Sequence, residues 1–289
     1  MATRRDFIRQ SSLFSAACIL GPGELYAKET PIGLQLYTLR NEMMKDPKGT
    51  LQKVSQMGYK ELETFGYNQG KWFGMNATEL AGVLNDLGMS SPSGHTFPGG
   101  MFLSEGWEDK WKKAVEDARA LGQKYIVIPW LEETHRKSID NYKKIAAGLG
   151  NAAQTAKEAG LQLAYHNHDF EFTPIDGQTG MEVLLKETDA NMVKIELDLY
   201  WAAKAGHDPI QLFAQYPGRF AMWHIKDMDK TDKKFFTEVG NGVIDFKSIF
   251  ARAKKSGMKH FFVEQDVCPG SPLESISQSI AYLKKNIVK

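Results

Sequence analysis

Residues 161–172, LQLAYHNHDFEF, set His166 and His168 two positions apart and follow them with Asp169 and Glu171. Leu161, Leu163 and Tyr165 alternate with them, so a strand here turns apolar groups to one face and both imidazoles to the other. Three later runs repeat the arrangement. VKIELD sets Lys194, Glu196 and Asp198 opposite Val193, Ile195 and Leu197. MWHIKD pairs Met222 with His224 and Lys226, and HFFVE pairs His260 with Phe262 and Glu264. If these strands lie side by side, their ends bring carboxylates, imidazoles and an ammonium to one place. Such groups repel one another or stay partly protonated without a counter-charge, and a divalent cation supplies it. Oxygen and imidazole donors suit Mn²⁺, Mg²⁺, Co²⁺, Fe²⁺ or Zn²⁺ and do not choose among them. A histidine base working near neutral pH suits removal of a proton beside a carbonyl, with the cation stabilising the charge that develops. Lys226 could polarise a substrate oxygen or form a salt bridge to Glu196 or Asp198.

The elements that must position these groups follow one rhythm from residue 31 onward. Strands are expected at 32–37, 59–64, 89–95, 125–129, 162–168, 193–198, 221–226 and 260–264. Helices are expected at 47–57, 76–87, 107–121, 138–159, 178–187, 208–215, 246–256 and 273–287, and Gly58, Gly88, Gly122, Gly160 and Gly257 each close one. Eight alternating units of this size predict an α/β fold, a closed (β/α)₈ TIM barrel in one domain over residues 31–289. A doubly wound open sheet calls for a GxGxxG turn after an early strand, and neither LQLYTLR nor LETFGYNQG supplies one. In the barrel, the parity that points inward at each strand's C-terminal end adds Gln35, Tyr37, Glu63, His95 and Trp130 to the candidate substrate contacts. Glu171 and Trp201 join them from the following loops. The aromatic members could stack on a pyranose face.

Composition narrows the partners. Thirty-six basic against 35 acidic residues give a formal net charge of +1, which offers no global field for nucleic acid or an anionic membrane. A small molecule is the expected partner, and a homo-oligomer stays open. Residues 1–27 carry Arg4 and Arg5 ahead of Phe7 and Ile8, an apolar run over 13–20, and LYA ending at Ala27. That pattern predicts a twin-arginine export signal and a periplasmic protein, with no membrane-spanning segment once it is removed. A lipid anchor on Cys18 is disfavoured because Ser15 stands where a lipobox has Leu. Cys268 would then be the only cysteine, so the mature chain has no intrachain disulfide.

The chain resembles the xylose isomerase-like TIM barrel family of sugar phosphate isomerases and epimerases over residues 31–289. The likeness rests on IGLQLYTLR, MGYKELETFGY, YHNHDFEF, LDLYWAAKAGHDP, WHIKD, VGNGVIDF and FVEQD. It implies a sugar or keto-sugar substrate. In the family's ketose epimerases, Glu, Asp, His and Glu from strands five to eight hold the metal, and the two glutamates serve as acid and base. Asp198, His224 and Glu264 match the last three. The first Glu has no counterpart, so His166 becomes the expected fourth ligand, with His168 or Glu171 as alternatives. The leading expectation is a divalent-metal-dependent sugar isomerase or epimerase working through an enediolate, with His168, Glu264 and Lys226 catalytic. The missing glutamate argues against plain two-glutamate epimerisation. A metal-dependent lyase or dehydratase, for example on 3-keto-glycosides, is one alternative, and a non-catalytic sugar-binding barrel is another. The family's endonuclease branch is disfavoured because no basic run marks a nucleic-acid footprint.

Overall fold

The computed structural model describes residues 30–288, so the expected export signal, Cys18 and the cleavage site lie outside the described residues. The barrel strands are β1 Gly33–Gln35, β2 Glu61–Thr64, β3 Ser90–His95, β4 Tyr125–Ile128, β5 Gln162–His166, β6 Val193–Asp198, β7 Phe220–Ile225 and β8 His260–Val263. Each pairs in parallel with the next, and β8 returns to β1, so the sheet closes with no free edge. Crossover helices follow the strands: α1 Pro47–Met57, α2 Ala77–Asp86, α3 Trp107–Leu121, α4 Ile139–Glu158, α5 Gly180–Glu187, α6 Pro209–Gln215, α7 Phe246–Phe250 and α8 Pro272–Asn286. No helix among the described residues is long and apolar enough to cross a membrane.

The expected (β/α)₈ architecture is therefore present, with local differences. The fifth strand stops at His166 instead of 168, because the Glu171 carboxylate accepts the His168 backbone N–H at 2.7 Å and turns the chain into a loop. The helix expected over 246–256 is two short pieces, Phe246–Phe250 and Ala253–Ser256. The second piece ends at Gly257 with φ 91°, where an added Cβ would lie 2.8 Å from the Gly218 backbone, so glycine answers both strain and space. An unexpected short helix, Leu199–Lys204, starts at Asp198, whose carboxylate caps the Trp201 N–H at 2.9 Å.

Strand parity divides the protein into two apolar regions. Outward residues such as Leu163, Ile195, Leu197 and Trp223 are fully buried against the helices. Inward, Val127, Ala164, Met222 and Phe262 form a separate plug on the barrel axis. His166, His224 and Glu264 follow Ala164, Met222 and Phe262 by two residues, so they stand one layer above the plug on the same face. This apolar plug forms the floor beneath the layer above it.

Gly33 pairs with Phe262, and a Cβ there would collide with the Phe262 ring and the Phe261 carbonyl. Gly33→Ala is expected to cost about 1–3 kcal/mol through overpacking, read as a lower urea midpoint with an unchanged slope. An unaltered midpoint would mean that the plug tolerates more volume than this packing allows.

Candidate active site

Above the plug, two layers of ionisable side chains occupy the C-terminal end of the barrel. In the deeper layer, His224 Nε2 lies 2.6 Å from Glu63 Oε2 and 3.2 Å from Glu196 Oε2. His95 Nε2 sits between the same carboxylates, 3.2 Å from Glu63 and 2.8 Å from Glu196. His166 turns Nδ1 toward Glu196 at 3.3 Å. Glu63 is fixed from below by Gln35 Nε2 at 2.7 Å and Ser93 Oγ at 2.5 Å. Burial opposes charge on each group, and mutual attraction decides the outcome. His95 and His224 hold the Glu63 carboxyl well below its usual range against that burial. Despite burial, Glu63 and Glu196 raise His95 to about 9. Burial, reinforced by the Glu63 charge, lifts Glu196 to about 7.

The upper layer uses the other nitrogens of the same two imidazoles. His224 Nδ1 lies 2.7 Å from Glu264 Oε2 and 4.0 Å from Asp198 Oδ2, and His166 Nε2 lies 3.9 Å from that same oxygen. Lys226, with 1 % of its surface exposed, places Nζ at 2.9 Å from Asp198, 2.7 Å from Glu264 and 2.6 Å from Asp266. Burial works against its charge, yet Asp198 and the other two carboxylates keep the ammonium well above its usual pKa. The same attraction, with Lys226 foremost, overrides burial and holds Glu264 well below the carboxylate range.

Among the described residues, two overlapping sets of side chains could hold a metal ion. His95, His166, Glu196 and His224 form one, and His166, Asp198, His224 and Glu264 form the other; within each set the ligand atoms lie within 4.8 Å of one another. Buried polar atoms also lack an aligned hydrogen bond here, namely His166 Nδ1, Glu196 Oε1 and Asp198 Oδ2. Mixed nitrogen and oxygen donors with spare lone pairs fit a divalent cation of the Mn²⁺ to Zn²⁺ group. The upper set is the better fit, because it includes Glu264 on the pocket lining, while Glu63 and Glu196 below already engage Nε2 of His224. A carboxylate behind a ligating imidazole is the usual means of fixing its ring.

The pocket itself has a volume of about 400 Å³ and opens at the barrel mouth between Tyr37, Phe65, Trp130, His168, Glu264 and Asp266, with His95 and His166 deeper in. His168 lies among aromatic rings, 5.3 Å from a stacked Phe170, 5.5 Å from Trp201 and 6.1 Å from Trp130. That enclosure, with the Lys226 charge nearby, pushes His168 down to about 3. Burial thus favours the neutral form of the imidazole.

Five further residues take places other than those expected. Gln35 and Glu63 are fully buried beneath the histidines and do not line the pocket. Glu171 is neither pocket-lining nor near the metal sets, because it points behind β5 to accept from the Tyr165 hydroxyl at 2.5 Å. Burial, opposed by the Tyr165 hydrogen bond, raises Glu171 to about 7. Lys226 is covered by its three carboxylates and does not itself border the pocket, so it cannot polarise a substrate oxygen directly. Trp201 stands behind His168 and is not part of the lining.

Sequence reasoning missed Asp266 and Asp227. Asp266 follows Glu264 by two residues, and this parity was available. The Asp227 carboxylate accepts backbone N–H groups from Met228, Gly240, Gly242 and Ile244 at 2.8–3.2 Å. It thereby ties the VGNGVIDF segment to the strand that carries His224. The same loop brings Phe236 onto Tyr200, with ring centroids 4.5 Å apart, beside Lys226.

This fold and site define a class. The chain belongs to the xylose isomerase-like TIM barrel family, whose model matches residues 51–286. It is similar to a curated inosose dehydratase of Lacticaseibacillus casei, 28% identical over 163 residues; the match covers 50% of this chain and 54% of that relative, so this chain spans about half that relative's length. It is also similar to a sugar phosphate isomerase/epimerase from Parabacteroides distasonis ATCC 8503 of known crystal structure, at 28% identity and a TM-score of 0.79, covering 91% of this chain and 96% of that one. The IOLI protein, solved with a bound zinc atom, shares the fold at 17% identity and a TM-score of 0.67, over 88% of this chain and 97% of its own.

Glu63→Gln keeps the shape of the deeper layer but removes the charge behind His224. It is expected to weaken divalent-ion binding about 10- to 100-fold, measured by titration with Mn²⁺ or Zn²⁺. Unchanged affinity would show that Glu63 does not orient a ligand.

Proposed function

We propose that this protein is a divalent-metal-assisted lyase acting on a keto-sugar. It removes a proton beside the carbonyl and expels the oxygen substituent from the next carbon. The observation that carries this reading is the asymmetry of the pocket, which is lined by the His168 imidazole among aromatic rings on one side and by the Glu264 and Asp266 carboxylates on the other. Epimerisation by a glutamate pair needs a proton-transfer group on each face of one carbon. Elimination instead needs an acceptor for the carbon-bound proton and a donor for the departing oxygen. The relationship to an inosose dehydratase supports the same class, since a dehydratase expels water. The likeness to a sugar phosphate isomerase/epimerase supports a second reading that shares the first proton transfer and ends in reprotonation.

In this account His166, Asp198, His224 and Glu264 hold the cation, which supplies Lewis-acid stabilisation for negative charge developing on the carbonyl oxygen. His168 takes the carbon-bound proton. Its basicity in the resting pocket is low, and the growing oxyanion beside it raises it as the proton moves. Lys226, charged at rest, gives up its proton through Asp266, 2.6 Å away and on the pocket lining, to the oxygen whose bond to carbon breaks, while His168 gains the proton from carbon, so the net charge of the site is unchanged. Trp130 and Tyr37, 39% and 40% exposed at the mouth, offer ring faces to the sugar. A periplasmic location is part of the same proposal, and the Arg4–Arg5 pattern supports it.

Methyl 3-keto-glucoside tests the reaction. A chelator should abolish release of methanol and added divalent ion should restore it, while His168→Ala should retain metal and lose about 10²- to 10⁴-fold in kcat. Deuterium uptake from solvent beside the carbonyl without methanol release would replace the lyase reading with the isomerase or epimerase one. Turnover indifferent to chelation would contradict both.

A further inference from the structure

A second cavity of about 370 Å³ adjoins the catalytic pocket, and the two share Phe65 and Gly66 as a common wall. Beyond that wall the groove is lined by Phe73, Asn68, Gln69 and Lys71. Phe65 meets Tyr37 edge-on at 5.3 Å on the catalytic side and Phe73 at 5.2 Å on the groove side. The result is a continuous aromatic rim, with two carboxamides and an ammonium on its far edge.

The backbone gives a second, independent sign. Phe73 and Gly74 form the turn of a small hairpin in which Lys71–Trp72 pairs with Met75–Asn76, and both turn residues have positive φ, 54° and 82°. Such a two-residue turn favours Asn-Gly or Gly-Gly, since a bulky side chain is strained at positive φ. Phenylalanine is a poor choice for the turn itself, and its ring is what walls the groove beside Phe65.

We propose that this groove is a leaving-group subsite and that the substrate is a keto-glycoside of at least two sugar rings. This rests on the lyase reading above and names its substrate class. Aromatic faces flanked by amide and ammonium donors match the apolar face and hydroxyl edge of a sugar ring. The keto ring occupies the catalytic pocket, and the glycosidic oxygen lies over Phe65 and Gly66. His168 takes the proton from the carbon beside the carbonyl, a double bond forms to the anomeric carbon, and the bond to the glycosidic oxygen breaks. That oxygen leaves on the second sugar with the proton supplied through Asp266, so atoms and charge balance with no further reactant.

The probes are 3-keto-maltose and methyl 3-keto-glucoside, with wild-type protein and Phe73→Asn, which suits the turn and retains the fold. Wild type should favour the disaccharide in kcat/KM by about tenfold, and Phe73→Asn should lose most of that preference through KM while turnover of the methyl glycoside stays level. Saturation-transfer NMR with unoxidised maltose should show contact to both rings in wild type and to one ring in the variant. Equal kcat/KM for the two probes in wild type, or equal losses on both in Phe73→Asn, would overturn the subsite and leave the lyase reading standing. If neither probe turns over yet both maltose rings show transfer that Phe73→Asn halves, the subsite stands and the reaction assignment falls. If neither probe turns over and no second-ring transfer is seen, the subsite falls too.

Discussion

The constraint on which the site depends is the burial of many ionisable groups at one end of a barrel whose floor is apolar. Glu63, Glu196, Asp198, His224 and Lys226 each expose 1% or less of their surface. An isolated charge at such depth would neutralise itself or unfold its surroundings. Here no charge is isolated. His95 lies between Glu63 and Glu196, His224 bridges the two layers, and Lys226 gathers Asp198, Glu264 and Asp266. The side chains hold one another in place, which is what positioning reacting groups to within a fraction of an ångström requires.

The same arrangement sets the terms for metal binding. Burial opposes a charge on His224, but Glu196, Glu264 and Glu63 raise its pKa well above the usual value, so its proton must leave before Nδ1 can donate a lone pair. The Lys226 ammonium already neutralises part of the charge on Asp198 and Glu264. A divalent cation therefore competes with a proton and an ammonium for the same carboxylates, and its affinity rises with pH. Because Lys226 also touches Asp266 on the pocket lining, its displacement toward Asp266 would strengthen the proton donor that elimination needs.

The barrel was legible in the sequence because two periodicities carry it. Alternation with period two marked the last four strands, and its inward parity brought His166, Asp198, His224 and Glu264 together without any three-dimensional information. Parity says which face a residue takes and not how deep it lies, so Gln35 and Glu63 read as substrate contacts when they support His224 from below. Past a strand's end parity no longer applies. Glu171 lies beyond the turn after His166, and its partner Tyr165 belongs to the opposite face. The low basicity of His168 was hidden for another reason, since Trp130, Phe170 and Trp201 enclose it from three separate segments. Asp227 was equally opaque, because its partners at 240–244 are brought to it only by the fold.

The central claim is that the upper set of side chains, rather than the deeper one, holds a single catalytic cation. Anomalous diffraction from crystals grown with Mn²⁺ measures this directly. The account predicts one peak bounded by His166, Asp198, His224 and Glu264, with Glu63 still hydrogen-bonded behind His224. A peak among His95, His166, Glu196 and His224, or no bound ion at a concentration that supports turnover, would contradict it.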